Sequence, residues 1–387
     1  MHRFAFIIAV LFATTGASCL SGETLSLDQV RVETGYQLAR YPENRALRFR
    51  YAKASFHTGR YDAAKFHLTE LMRSSPNAED LDLLHRVKAT VVETSPLNFG
   101  VNMAILPSTN IGRTSANQIF DTLAGTFRIT GGGQERTGVG FRLGAQASYE
   151  VAQPDWGSKI TYTMSLSRTL YPIDVLDTYQ GFVGATWGKR SLTGFMQITP
   201  YVARTLYDNA DHPNGDATRS GLRYSYEYYL GVSQSIEGAV TVEHRKYDDL
   251  DYLDGNFLSI DLSYASPVFQ SSFIEIGTQL SRNAPQAEHL KYKGLTAWAE
   301  ISRQMGSIGK VGLTGSLGVR DYDGIFPASP DPRRDNYVSV GMSFTSPRVQ
   351  IFRNSPKITC QIAQNRSNIA LYEYHSKDCA ISFEQSF

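Results

Sequence analysis

The chain has 387 residues, with 38 Lys and Arg against 37 Asp and Glu, so its net charge is close to zero. With that balance, no basic block along the sequence argues for a nucleic-acid partner or a polybasic membrane patch. Tyr (22), Phe (20) and Gly (32) are plentiful and mean hydropathy is slightly negative, which fits a secreted soluble β protein or an outer-membrane barrel whose spans hide in alternation.

The first residues, MHRFAFIIAVLFATTGASC, place His2 and Arg3 before an apolar run from Phe4 to Ala13, followed by the small residues Gly16, Ala17 and Ser18. This is the layout of a secretory signal peptide over residues 1–20. The run falls short of the roughly 20 apolar residues a membrane helix needs. The mature chain is expected to begin near residues 19–22, in an oxidising compartment. Cys19 raises a lipoprotein reading, against which Gly16 stands where a lipobox has Leu.

From Leu27 to about Val92 the pattern is helical. Within YPENRALRFRYAKASFHTGRYDAAKFHLTELMRSSP, Pro42 and Pro76 mark a 34-residue period, the length of a tetratricopeptide repeat. Tyr51 and Ala52 fall on a first helix, Gly59 and Tyr61 at the turn, and Ala64, Leu68 and Leu71 on a second helix that Pro76 ends. Arg48 stands where the repeat has a bulky residue. One such repeat, over residues 21–95, either binds a partner or only plugs or braces the strands beyond it, because about three repeats are needed for independent stability.

At VVETSPLNFG the period changes to two. Leu97, Phe99, Val101, Met103 and Ile105 share one face, and Asn98, Gly100, Asn102 and Ala104 the other. The signature recurs at Val139–Ala147, Ile160–Leu166, Leu222–Leu230, Leu258–Tyr264, Val311–Val319 and Val338–Phe344, with Arg142, Gln146, Arg223, Glu227, Ser259 and Asp261 on opposite faces. Soluble strands are usually about 5–6 residues long, whereas these segments suit tilted spans of roughly 9–11. Tight connections (GKRS, SQSIE, SPVFQ, MGSIG) alternate with longer polar ones (YDNADHPNGDATRS, RNAPQAEHLK, YDGIFPASPDPRRD), the arrangement of short inner turns and long outer loops. The expected fold is an all-β transmembrane barrel over residues 96–387. Its fourteen antiparallel strands begin near residues 97, 136, 157, 178, 192, 219, 236, 254, 271, 290, 309, 335, 356 and 372, and a small hairpin lies within the first outer loop. The chain stops on CAISFEQSF, with Ile381, Phe383 and Phe387 in one phase. That matches a barrel-assembly signal, and Gln385 departs from it.

Two stretches point to a family. Ser108, Asn110 and Ile111 lie just beyond the first strand, and Arg366, Ser367, Asn368 and Ile369 just before the last, with a Tyr-x-Tyr and the terminal Phe. Together these resemble the surface lipoprotein assembly modifier family (Slam, type XI secretion), over about residues 96–387 and more weakly 40–92. The resemblance implies periplasmic tetratricopeptide-like helices joined to an outer-membrane barrel. It further implies a translocation factor that delivers lipoproteins or secreted proteins to the cell surface. The expected partners are that client, the barrel-assembly machinery and outer-membrane lipid. The helical part is shorter than the family's usual one.

Other readings are a passive channel or porin with a helical plug, and a lipid-modifying barrel enzyme. No G-x-S-x-G, H-E-x-x-H or C-x-x-C occurs, so no catalytic site, cofactor or metal is expected. His212 with Asp208, Asp211 and Asp216 is a solvated loop or a cation site. Cys360 and Cys379 share the apolar parity of the last two strands. In a hairpin turning at residues 369–370 they face each other, as a disulfide or as two small free thiols.

Overall fold

The computed structural model describes residues 26–58, 60–74, 96–117, 119–122, 125–128, 135–152, 158–191, 193–208, 215–231, 234–269, 272–306, 308–327, 329–346, 348–350 and 355–386. The expected signal segment, Cys19, Gly59, Pro76, His212 and Phe387 lie outside these residues, as does the stretch 75–95 of the expected helical domain.

Three helices come first. α1 (Leu27–Arg40) starts at Ser26, whose Oγ accepts the Gln29 N–H while the Gln29 side chain accepts the Ser26 N–H. This capping box satisfies two donors that the first turn leaves open. α2 (Arg45–His57) is capped by Asn44, whose Oδ1 accepts from Leu47 N at 3.1 Å. α3 spans Tyr61–Ser74. Ala52 and Ala64 are fully buried, since only a methyl side chain lets helix backbones come close. Leu68 and Leu71 are buried too, and the Tyr51 and His67 rings meet edge to face at 4.8 Å.

The second unit is a barrel. Its strands are β1 (Leu97–Ser108), β4 (Gly138–Ala152), β5 (Ser158–Leu170), β6 (Thr178–Arg190), β7 (Gly194–Tyr207), β8 (Ala217–Gly231) and β9 (Gln234–Tyr247), then β10 (Gly255–Phe269), β11 (Ser272–Pro285), β12 (Tyr292–Met305), β13 (Gly309–Ile325), β14 (Pro332–Thr345), β15 (Lys357–Ser367) and β16 (Tyr374–Ser386). Each pairs antiparallel with its neighbours in sequence, and β1 pairs with β16, so fourteen strands close on themselves. A separate hairpin, β2 (Ile119–Thr122) with β3 (Gly125–Arg128), stands between β1 and β4.

The period-two reading sets the wall. Leu317 is 61% exposed, Val340 62% and Ile362 59%, and all lie on the face that would be unfavourable in water and is satisfied only by lipid. The alternate residues point into the lumen. There Glu243 is buried, accepting from Tyr201 Oη at 2.8 Å and from Arg245 Nε at 2.6 Å. Gln279 donates to Asp261 at 2.6 Å, and Arg223 lies 3.7 Å from both Asp261 and Glu237. Two lumen glycines are required by close approach. A Cβ on Gly277 would meet the Trp298 ring at 2.6 Å, and one on Gly221 the Tyr201 ring at 2.8 Å.

The strands begin within a few residues of their expected positions, but the longer connections are shorter than the sequence suggested. Arg282–Pro285, Ala217–Ser220 and Tyr322–Ile325 are strand, not loop, and the 346–356 connection at the other end is itself long. Above the bilayer both faces of a strand meet water, so alternation disappears and the pattern no longer reports pairing.

The strands carry a repeated latch at this longer-loop end. Asp177, Asp216 and Asp254 each accept the backbone N–H of a Tyr that ends the preceding strand region: Tyr171 at 2.6 Å, Tyr207 at 2.8 Å and Tyr247 at 2.6 Å. Loops are also chained through the backbone, from Asp208 N to Asp177 O, Asp248 N to Asp216 O, Gln286 N to Asp254 O and Asp323 N to Lys291 O. Side chains repeat the step. Arg168 pairs with Asp208 at 3.2 Å, Arg204 with both oxygens of Asp248, and Arg282 with Asp323. Where the next such pair would fall, Arg245 donates to Asn283 at 3.4 Å.

This architecture makes two testable statements. Val340→Arg, facing lipid, is expected to abolish heat-modifiable migration of the barrel on gels, because a mid-bilayer Arg costs about 2–4 kcal/mol. Ser263→Arg, facing the lumen opposite Glu237, is expected to preserve it. The Arg204 guanidinium holds the Asp248 carboxyl below its ordinary value. The latch therefore contributes above the unfolded carboxylate range near pH ~3.9 and is lost as pH falls through the lower folded value. In acid titrations of unfolding, Arg204→Gln should be less stable than wild type at neutral pH and indistinguishable from it at the most acid end.

Candidate functional site: the barrel seam

A barrel in lipid has one junction that its sequence does not make by a hairpin, here β1 against β16. From Gly100 opposite Ser386 to Ile105 opposite Ile381 the ladder is regular, and Met103 faces Phe383 within it. It resumes at Ser108 opposite Asp378, skipping Leu106 and Pro107. Proline has no N–H to donate, and Cys379 falls opposite it in that register. On its other side β1 pairs with β4 without a break from Leu97 to Ser108.

Beyond the gap the seam is clasped by side chains. Ser108 Oγ donates to Asp378 Oδ1 at 2.5 Å and accepts the Asn110 N–H at 3.0 Å. Asn110 is fully buried. Its amide nitrogen donates to Thr114 O at 2.8 Å and across the seam to His375 O at 3.1 Å, while its Oδ1 accepts from Thr114 N at 3.0 Å. Thr109 and Lys377 exchange two bonds of 3.0 Å, one through Thr109 Oγ1. Arg113, held at φ 48, reaches the second Asp378 oxygen at 3.4 Å. Positive φ is uncommon for a residue with a Cβ, and the loop tied by Asn110 imposes it. Ser115 Oγ donates to Ala370 O at 2.7 Å. Ile111 N donates to Arg136 O, closing the loop onto the start of β4.

The second motif repeats the first. Ser367 Oγ accepts the Ile369 N–H at 3.2 Å, as Ser108 does for Asn110. Asn368 donates to Pro332 O at 2.9 Å and accepts from Arg334 N at 2.7 Å, tying the β15–β16 loop to β14. Ile369 is buried, and Arg366 is exposed on the outward face. Nearby, Arg333 is buried between the Tyr372 and Tyr322 rings, at 3.2 and 4.5 Å, and bonds both oxygens of Asp335. Cys360 and Cys379 face each other across β15 and β16 and are joined as a disulfide, with Cα atoms 4.1 Å apart.

Below the clasp lies a lumenal cavity of about 300 Å³, lined by Arg142, Tyr171, Thr359, Gln361 and Asp378 among others. Burial pushes the Tyr171 phenol above its ordinary value. Ser108, Asn110 and Ile111 line the same cavity, so the first motif meets Asp378, a residue that sequence reading passed over. The signal available was its lumen parity beside Cys379, in the sequence Lys-Asp-Cys. Of the repeat motif, Ala64 is buried on α3 and Tyr61 begins that helix. Among the described residues, no group of three or more His, Cys, Asp or Glu side chains is placed to hold a metal.

A closed wall of fourteen strands, lipid-facing outside and polar within, defines a transmembrane β-barrel of the outer-membrane kind. The family model for the surface lipoprotein assembly modifier matches residues 98–387, which coincides with that barrel, and the chain belongs to this family. A search of curated proteins finds no match. Solved structures similar to the chain include OccAB4 of Acinetobacter baumannii, 6% identical over 76% of this chain and 99% of that one, with a TM-score of 0.40. CdiB from Acinetobacter baumannii is 10% identical over 75% and 60%, with a TM-score of 0.42. The TodX monoaromatic hydrocarbon channel, as a deltaS2 mutant, is 12% identical over 77% and 93%, with a TM-score of 0.41. Likeness at this level transfers no function.

Two measurements test the clasp and the neighbouring crosslink. Asn110→Ala strands the Thr114 and His375 backbone groups and should lower barrel stability by about 1–3 kcal/mol, read as a lower urea midpoint in lipid vesicles. Asn117→Ala, which removes only an exposed 3.5 Å contact to Glu373, should leave the midpoint unchanged. Mass spectrometry of unreduced peptides should recover the Cys360 and Cys379 segments as one linked species. Free thiols at both positions would contradict the structure.

Proposed function

We propose that the chain is an outer-membrane translocation factor that helps deliver a lipoprotein, or a secreted protein, from the periplasm to the cell surface. The observation that carries this reading is membership of the surface lipoprotein assembly modifier family over the whole barrel. In this reading residues 21–95 form a periplasmic helical domain, the shorter turns face the periplasm, and the longer loops with the clasp face outward. The client engages the helices or the barrel mouth while unfolded and folds outside, so that folding supplies the direction of transfer. The barrel-assembly machinery inserts the protein, with Ile381, Phe383 and Phe387 as its signal. The role needs no cofactor and no chemical step, and the residues named at the seam act by holding strands together.

The test is surface display. Deleting the gene should remove one lipoprotein or secreted protein from the surface of intact cells while its total amount persists in the periplasm. Unchanged surface levels of every such protein would overturn the proposal. The polar lumen, with its Arg223, Glu237, Asp261 and Gln279 side chains, also suits a passive channel. Steady conductance of the purified protein in planar bilayers, with no change in any surface protein on deletion, would favour that second reading.

A further inference from the structure

The outward face of the last three strands turns from apolar to charged residues toward the longer-loop end. On β14 the buried Arg333 and Asp335 point inward, and Arg334, Asn336, Val338 and Val340 are exposed outward. On β15 Ala363 and Asn365 are buried, and Ile362, Gln364 and Arg366 are exposed. On β16 Ser376 is buried, with His375 and Lys377 exposed on either side. Register brings these together: Asn336 is opposite Arg366, Gln364 opposite His375, and Ile362 opposite Lys377. Same-face diagonal neighbours on paired strands stand about 7–8 Å apart. Arg366 is diagonal to Arg334 and to His375, and Lys377 follows His375 on the same face of β16, two register pairs along from Arg366, so the four form one row beside Val338, Val340 and Ile362.

The acids nearby pair with only part of it. Asp321 pairs with Arg334 at 3.4 Å, and in register Asp321 also faces Lys293. Glu135 lies 3.7 Å from the exposed His375 ring, and Glu373 accepts from Asn117. Among the described residues, neither Arg366 nor Lys377 has a carboxylate at ion-pair distance. Both side chains are therefore open to an anion from outside the chain. Arg and Lys at the end of an apolar band extend toward the headgroup layer, and guanidinium and ammonium groups both match phosphate oxygens. Two register pairs apart, Arg366 and Lys377 suit two phosphates on one headgroup.

We propose that this face of β14–β16 binds the phosphate groups of an outer-leaflet lipid headgroup, with Arg366 and Lys377 as its principal ligands and Arg334 and His375 flanking them. The site rests on the orientation given above, in which the longer loops face outward. It lies on the strand that closes the seam, so a bound headgroup would sit beside the clasp.

The test uses the full chain, purified in detergent and stripped of lipid, with diphosphorylated lipid A as the probe and its dephosphorylated form as the control, read by native mass spectrometry. Wild type should bind the diphosphorylated form at least ten-fold more tightly than the control. Arg366→Gln with Lys377→Gln should lose that preference, and Gln364→Glu, which sets a carboxylate inside the patch, should weaken it independently if the double variant folds poorly. Arg303→Gln at the other end of the barrel should bind as wild type does. Equal binding of both lipid forms by wild type, or an unchanged preference in both patch variants, would overturn the site. Orientation is read separately by labelling an epitope placed after Asp331 on intact cells. No labelling with phosphate preference intact refutes the orientation and its outer-leaflet assignment, whereas labelling without preference refutes the phosphate site alone.

Discussion

Hydrocarbon offers no partner for a backbone N–H or C=O, so every strand that crosses it must be paired on both edges. This constraint organises the barrel. Hairpins satisfy all but one junction, and the remaining one, β1 with β16, has to be found across almost the whole length of the barrel sequence. Chain closure over such a span costs entropy that local turns do not. The density of side-chain bonds at Asn110, Ser108 and Asp378 is concentrated where that cost falls.

The seam is uneven along its length. A regular ladder holds one end, Pro107 interrupts it, and the clasp holds the other end. One strand over, the link between Cys360 and Cys379 fixes β15 to β16 at the level of the gap. A crosslink closing a loop of this size stabilises by roughly 3 kcal/mol in the chain-entropy account. At that level β16 is crosslinked to β15 while its pairing with β1 lapses. The rim latches from β5 to β13 bind the other longer loops to one another.

Much of the fold was legible because the bilayer enforces it. Leu317, Val340 and Ile362 had to face lipid, Arg223 and Asp261 had to face the lumen, and a period of two results from that alone. The small β2–β3 hairpin was expected within the loop after the first strand, and the opposed cysteines were readable from parity. What escaped was the region above the membrane. Strand continues through Arg282–Pro285 with no alternation to announce it, and the recurrent Tyr-Asp pairs at 207–208, 247–248 and 322–323 read as loop composition although they are latches. The Asn-Ile motifs were visible as motifs. Their work, tying one strand end to the backbone of the next, depends on partners more than two hundred residues away for Asn110 and cannot be read from spacing.

The closed wall stands on β1 and β16 being neighbours in the stated register. The direct measurement is disulfide trapping in native membranes with Ala104→Cys and Ser382→Cys, residues that face each other across the seam. Formation of an intramolecular bond by this pair, and its absence when the second cysteine is moved to Glu384, is the predicted result. Failure of the 104–382 pair to link, or equal linking at the displaced position, would contradict the closed barrel described here.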